Sequence, residues 1–113
     1  MKENKLANLT MDFSVDILTL TESVSGHSSL KNQIERSATS IGANLNEATF
    51  GNSKADFISK MHISLKECSE SLYWLELFKR VNYKIENIDK LISDCNEIKA
   101  LLISSINTAK KIN

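Results

Sequence analysis

Hydrophobic residues recur along this chain at intervals of three and four, in four separate blocks. In the first, Leu6, Leu9, Phe13, Ile17, Leu20 and Val24 share one face of a helix over about residues 4–24. The stretch SGHSS (25–29) interrupts the pattern. Gly26 suits the end of one helix, and Ser28 or Ser29 suits the N-cap of the next. The second block, Leu30, Ile34, Ala38, Ile41, Leu45 and Ala48, predicts a helix over about 29–50 whose apolar stripe is narrow and built of rather small residues.

Gly51 closes that helix. Ser53, with Asp56 three residues on as a short capping box, then opens a third over about 53–81, carrying Phe57, Met61, Leu65, Cys68, Leu72 and Leu75. After a turn around Val81–Asn87, the stripe Ile88, Leu91, Ile92, Cys95, Ile98, Leu102, Ile106, Ala109 and Ile112 predicts a fourth helix over about 87–112. Short connections between helices of similar length favour antiparallel neighbours. The expected fold is therefore all-α, an up-down-up-down antiparallel four-helix bundle, with residues 1–113 forming a single domain.

Composition sharpens this picture. Pro is absent and Gly occurs three times, which suits long uninterrupted helices. Fourteen basic residues balance fourteen acidic ones, so net charge gives no pull toward nucleic acid or an anionic membrane. The basic residues are twelve Lys and only Arg36 and Arg80, which weighs against bidentate base or phosphate readout. Cys68 and Cys95 sit within apolar stripes and read as small core residues of a reducing compartment. The N-terminus MKENKLANLTMDF has no signal-like apolar core, and no apolar run approaches a membrane span. A cytoplasmic protein without membrane contact is expected.

Away from its core stripe, the third helix carries a second line: Asp56, Lys60, Glu67, Ser71, Trp74 and Phe78. Its charged half gives way to an aromatic half, and Tyr73 and Leu77 widen the apolar part. A solvated face seldom ends in Trp and Phe together, so Tyr73, Trp74, Leu77 and Phe78 are expected at a contact between subunits. The alternative is that the bundle covers these rings itself.

On the second helix, Arg36, Ser40, Asn44 and Glu47 form a polar line beside the apolar stripe. Folding the second and third helices back about Gly51 brings together residues whose numbers sum to roughly 103–107. Arg36 then meets Glu67 and Glu70, and Glu47 meets Lys60. Opposite charges at both ends are what a structural seam needs. An active site would instead call for mismatched protonation or a free nucleophile beside a base.

The segment SATSIGANLNEATFGNSKADFISKMHISLKECSESLYWLELF (37–78) resembles the 23S rRNA intervening-sequence protein family of bacterial four-helix bundles. The matching pieces are SIGAN (40–44), Glu47-Ala48, SKADFISK (53–60), LKE (65–67) and YWLELF (73–78), with SGHSSLKNQIERS before them. The resemblance implies a short helical bundle with no established enzymatic activity. Some such proteins are encoded inside insertions in large-subunit ribosomal RNA genes. Similar proteins are accessory factors of diversity-generating retroelements, where barrel-shaped pentamers with a basic surface bind nucleic acid beside a reverse transcriptase. The resemblance thus implies a homopentamer, with RNA or DNA and a reverse transcriptase as further partners.

Charge placement bears on the nucleic-acid reading. Lys2, Lys5, Lys54, Lys110 and Lys111 should gather at one end of the bundle, and Lys31, Lys79, Arg80 and Lys84 at the other. A ring would multiply either cluster into several phosphate contacts, although Lys at helix ends is also ordinary solubility chemistry. His27 and His62 lack partners at a metal-ligand spacing, and Gly42 and Gly51 do not form a phosphate loop. The residues point to no cofactor. The expectation is a non-enzymatic oligomeric scaffold. The competing reading is a metal-dependent hydrolase or nuclease using Glu47, Glu67 and Glu70.

Overall fold

The computed structural model describes residues 2–81 and 84–111, with side chains from Lys5 onward. Four helices follow one another: α1 (Lys2–Ser23), α2 (Ser28–Thr49), α3 (Lys54–Arg80) and α4 (Ile88–Lys111). Each packs against its neighbours in sequence and α1 closes on α4, while α1 and α3, and α2 and α4, stand diagonally, with no close backbone approach among the described residues. The result is an all-α four-helix bundle about 49 Å long and 21 by 19 Å across. Ile112, assigned to the last stripe, lies outside the described residues.

The turns are set by local chemistry. Gly26 (φ 75°) and His27 (φ 53°) are both left-handed, so the chain reverses over two residues and His27 becomes the N-cap of α2. The expected serine cap is not used: Ser28 is already helical, and His27 makes no side-chain cap bond. Lys31 instead reaches back, its Nζ donating to the Val24 carbonyl at 2.8 Å, which helps satisfy the end of α1. At the next turn Ser53 caps α3, its Oγ accepting from the Asp56 N–H at 3.1 Å.

The core departs from the simple stripes in two places, and α2 is the reason for both. On α1 the buried position is Thr10, with Leu9 only half-buried. Thr10 faces Gly42, where an added Cβ would sit 3.2 Å from Thr10 Oγ1, so a small hydroxyl fits where leucine would not. The hydroxyl bonds the Leu6 carbonyl at 2.9 Å and loses nothing by burial.

On α3 the fully buried positions are Met61, Ser64, Cys68, Ser71, Leu75 and Phe78. This heptad-like repeat is rotated toward α2 relative to the expected stripe, leaving Leu65 and Leu72 half-buried. Small residues on α2 (Ser37, Ala38) let the two helices approach closely, and α2–α3 is the most extensive pair. Buried hydroxyls lock it. Ser71 Oγ donates to Ser37 Oγ at 2.8 Å, and Ser64 Oγ to the Ile41 carbonyl at 2.8 Å. Ser71 and Phe78, expected on the outer line, are therefore core residues.

Candidate functional site

The α2–α3 flank brings the expected polar residues together. Arg36 Nη1 donates to Glu67 Oε2 at 2.9 Å, and its Nη2 donates to Glu70 Oε2. At the other end of the line, Lys60 Nζ lies 3.8 Å from Glu47 Oε1. Antiparallel register explains all three pairs, since each helix runs back past the other from the Gly51 turn. Ser40 and Asn44 do not bridge the helices. The Ser40 hydroxyl donates to the Arg36 carbonyl at 2.6 Å and Asn44 Nδ2 to the Ser40 carbonyl at 2.8 Å, both within α2.

Glu70 is the hub of this line. Its Oε2 also accepts the Trp74 indole N–H at 3.0 Å, one turn further along α3. The Trp74 N–H holds the Glu70 carboxyl below the usual carboxylate range; burial opposes it, and Arg36 adds to the lowering. Glu70 and Glu67 in turn raise the Arg36 guanidinium above its ordinary value. Arg36 remains 49% exposed, against 13% for Glu67 and 30% for Glu70, so water shares in the pairing and limits its strength. Such a line holds charges in place. Among the described residues no three His, Cys, Asp or Glu side chains gather as metal donors.

Beside the seam, α3 presents its aromatic surface. Tyr73 is 62% exposed and packs edge-on against the half-buried Trp74, with ring centroids 5.1 Å apart. Leu77 is half-buried and Ile63, on the same outward side, is exposed. Phe78 does not belong to this surface: it is 0% exposed within the single chain. In the register that pairs Ser71 with Ser37, Phe78 falls level with Leu30 of α2, which helps cover that flank of α3. The exposed ridge is therefore Tyr73, Trp74 and Leu77.

A second apolar surface was missed by the sequence reading. Met11, Val15 and Leu18 of α1 and Phe50 after α2 are 66%, 53%, 42% and 77% exposed. They rim a groove of about 760 Å³ between α1 and α2, whose floor includes Thr10 and Gly42 and whose lining carries no charge. The available signal was a second α1 stripe at spacings of four and three (11, 15, 18), beside the one that fills the core. The small floor residues that let α1 and α2 approach also leave the groove open.

The predicted basic end is set by topology: the starts of α1 and α3 and the end of α4 lie together. Lys54, Lys110 and Lys111 are exposed there and make no ion pair among the described residues, while Lys5 sits 3.6 Å from Glu97. The Lys2 side chain lies outside the described residues. At the opposite end the charges are more fully answered, with Lys79 Nζ 2.8 Å from Asp89 and Lys31 on the Val24 carbonyl. No described helix is long and apolar enough to cross a membrane.

No curated protein matches the chain. A crystal structure from Bacteroides thetaiotaomicron, described as a protein of unknown function from the S23 ribosomal protein family, superposes with a TM-score of 0.87 at 40% identity. The match covers 95% of this chain and 99% of that one. The family model for the 23S rRNA-intervening sequence protein matches residues 2–104, which takes in α1 to α3 and most of α4. By the family match and the likeness at 40% identity, the chain belongs to the 23S rRNA-intervening sequence protein family.

Proposed function

We propose that this protein is a non-enzymatic subunit of a homo-oligomer, a ring of five, that serves as a scaffold for nucleic acid. One observation carries the reading. The bundle leaves two apolar surfaces uncovered, the Tyr73–Trp74–Leu77 ridge on α3 and the uncharged groove between α1 and α2. Because α3 stands diagonally from α1, the ridge cannot fold into the groove of its own chain. A ridge on one side and a groove on another make a heterologous contact, which closes into a ring when the rotation permits. The four exposed groove residues offer an apolar area on the order of half the ~800 Å² per partner of a stable interface, and the ridge adds to it. A net charge of zero means that copies meet without overall repulsion.

Five copies would multiply the exposed Lys54, Lys110 and Lys111 into a basic rim suited to phosphates, with the steep salt dependence of counterion release. The resemblance to retroelement accessory proteins extends this to a role beside a reverse transcriptase. The paired state of Glu67 and Glu70 favours a structural seam over a metal-dependent hydrolase or nuclease using them with Glu47.

Light scattering on a sizing column, with absorbance at 260 and 280 nm, tests the reading. A mass of five protomers with excess 260 nm absorbance, removed by nuclease or high salt, is the expected result. A clean ring without nucleic acid would make it a protein scaffold, and a monomer would overturn the assembly. Metal-dependent cleavage abolished by Glu67→Gln would establish the hydrolytic reading instead.

A further inference from the structure

Two side chains at the middle of the α3–α4 interface have no part in the seam or the apolar surfaces. Cys68 and Cys95 are both 0% exposed, both free, and their Sγ atoms stand 3.7 Å apart. The contact is reciprocal: each sulfur lies 3.4 Å from the other residue's backbone carbonyl. Two thiols each resting on the other's main chain are directed across one helix–helix contact. They are not merely neighbours in an apolar layer. Closing the pair to a covalent bond of ~2.05 Å needs a side-chain rotation and a small approach of two helices already in contact.

We propose that Cys68 and Cys95 form a latent intramolecular disulfide, a redox-sensitive clamp that pins α3 to α4 when the protein meets a peroxide. The chemistry balances in two steps. The thiolate of one cysteine attacks one oxygen of hydrogen peroxide; the O–O bond breaks, that sulfur becomes a sulfenic acid, and the other oxygen leaves and is protonated to water. The sulfur of the other cysteine then attacks the sulfenic sulfur, the S–OH bond breaks, and a second water leaves with the proton of the attacking thiol. Two thiols and one peroxide give one disulfide and two waters, so the sulfurs lose two electrons in total.

The hydrogen bond from Cys95 lowers the Cys68 thiol, and the same bond together with burial pushes Cys95 up. Lys99, one turn beyond Cys95, favours a thiolate at either sulfur. The geometry is symmetric about the two sulfurs, so either cysteine can be oxidised first and the other resolves it. Complete burial makes the reaction slow until the α3–α4 contact opens, and the bond then holds that contact closed. The cross-link spans 27 residues of sequence, including the α3–α4 turn, so it restrains the unfolded chain as well.

The test uses the full chain, reduced and then treated with hydrogen peroxide. Intact mass is measured under denaturing, non-reducing conditions, and melting is followed by circular dichroism. The expected product is a single chain lighter by about 2 Da that no longer reacts with a thiol reagent when unfolded. Its Tm should rise by on the order of 10 °C and return on reduction. Cys95→Ser should give no loss of mass and no rise. If serine at that buried position prevents folding, Cys95→Ala serves the same purpose, and the wild-type mass measurement needs no variant. Overturning results are thiols that stay unreacted, addition of oxygen without loss of hydrogen, or chains linked to one another.

Discussion

The Trp74 indole N–H and the Glu70 carboxylate are joined at 3.0 Å across one turn of α3, and Arg36 of α2 grips the same carboxylate oxygen. A ring on the protein surface is thereby tied to the charge that pairs α2 with α3. Seam and surface ridge are one hydrogen-bonded unit.

That unit should titrate. Glu70 is held below its ordinary value of 4.5, first by Trp74 and then by Arg36. A depressed folded-state pKa contributes stability that is complete above the unfolded value and is lost as pH falls through the folded one. Melting temperature should therefore decline below pH 4.5, with a change in Trp74 fluorescence whose midpoint lies under that value. Glu70→Gln should remove the fluorescence step. A step that persists in the variant would assign it to another group.

Arg36→Ala should cost about 1 kcal/mol, because a guanidinium that remains half-exposed shares its pairing with water. A buried pair would have cost several times more. A double-mutant cycle of Arg36→Ala with Glu70→Gln should give a coupling of about 0.5–1 kcal/mol. Strict additivity would mean that the contact contributes nothing.

Phe78 and Trp74 should part company on truncation. Phe78→Ala should cost about 3–5 kcal/mol by cavity formation, with a loss of Tm that does not depend on protein concentration. Trp74→Ala should lower the oligomer mass more than it lowers helix content. The reverse pattern, with Phe78→Ala dissociating a stable bundle, would return Phe78 to the interface.

Val15→Glu places a charge in the wall of the α1–α2 groove, on a residue already 53% exposed. The bundle itself should change by no more than ~0.5 kcal/mol. Assembly should be lost on the sizing column. An oligomer of undiminished mass would remove the groove from the contact.

Gly26→Ala should cost roughly 1 kcal/mol, since the residue sits at φ 75° where a Cβ is strained whatever the space around it. Gly42→Ala is helical and should gain up to ~1 kcal/mol in propensity, but its new Cβ meets the bonded Thr10 hydroxyl at 3.2 Å. Chemical denaturation of the two variants should show a clear loss for Gly26→Ala and little net change for Gly42→Ala.

Some of this was legible in the chain and some was not, and particular residues show the division. The period of Leu6, Phe13, Ile17 and Leu20, or of Leu91, Cys95, Ile98 and Leu102, is a property of one helix, so it can be read without knowing what covers it. The Ser53 cap and the Arg36–Glu67 and Arg36–Glu70 pairs depend only on neighbours in sequence or on counting back from one turn. The positions of Phe78, Ser71 and Thr10 depend on how far each helix rolls toward its neighbour. That roll is decided by small residues on the facing helix: Ser37, Ala38 and Gly42.

The sequence by itself determined the four helices, their antiparallel order and the charge pairs along α2 and α3, because periodicity, capping and register are local or nearly so. Only the tertiary structure decided which aromatic stays outside, where an apolar groove remains open and which two sulfurs meet. Those outcomes belong to distances between helices, and such distances follow from close packing of side chains that no single stretch of sequence contains.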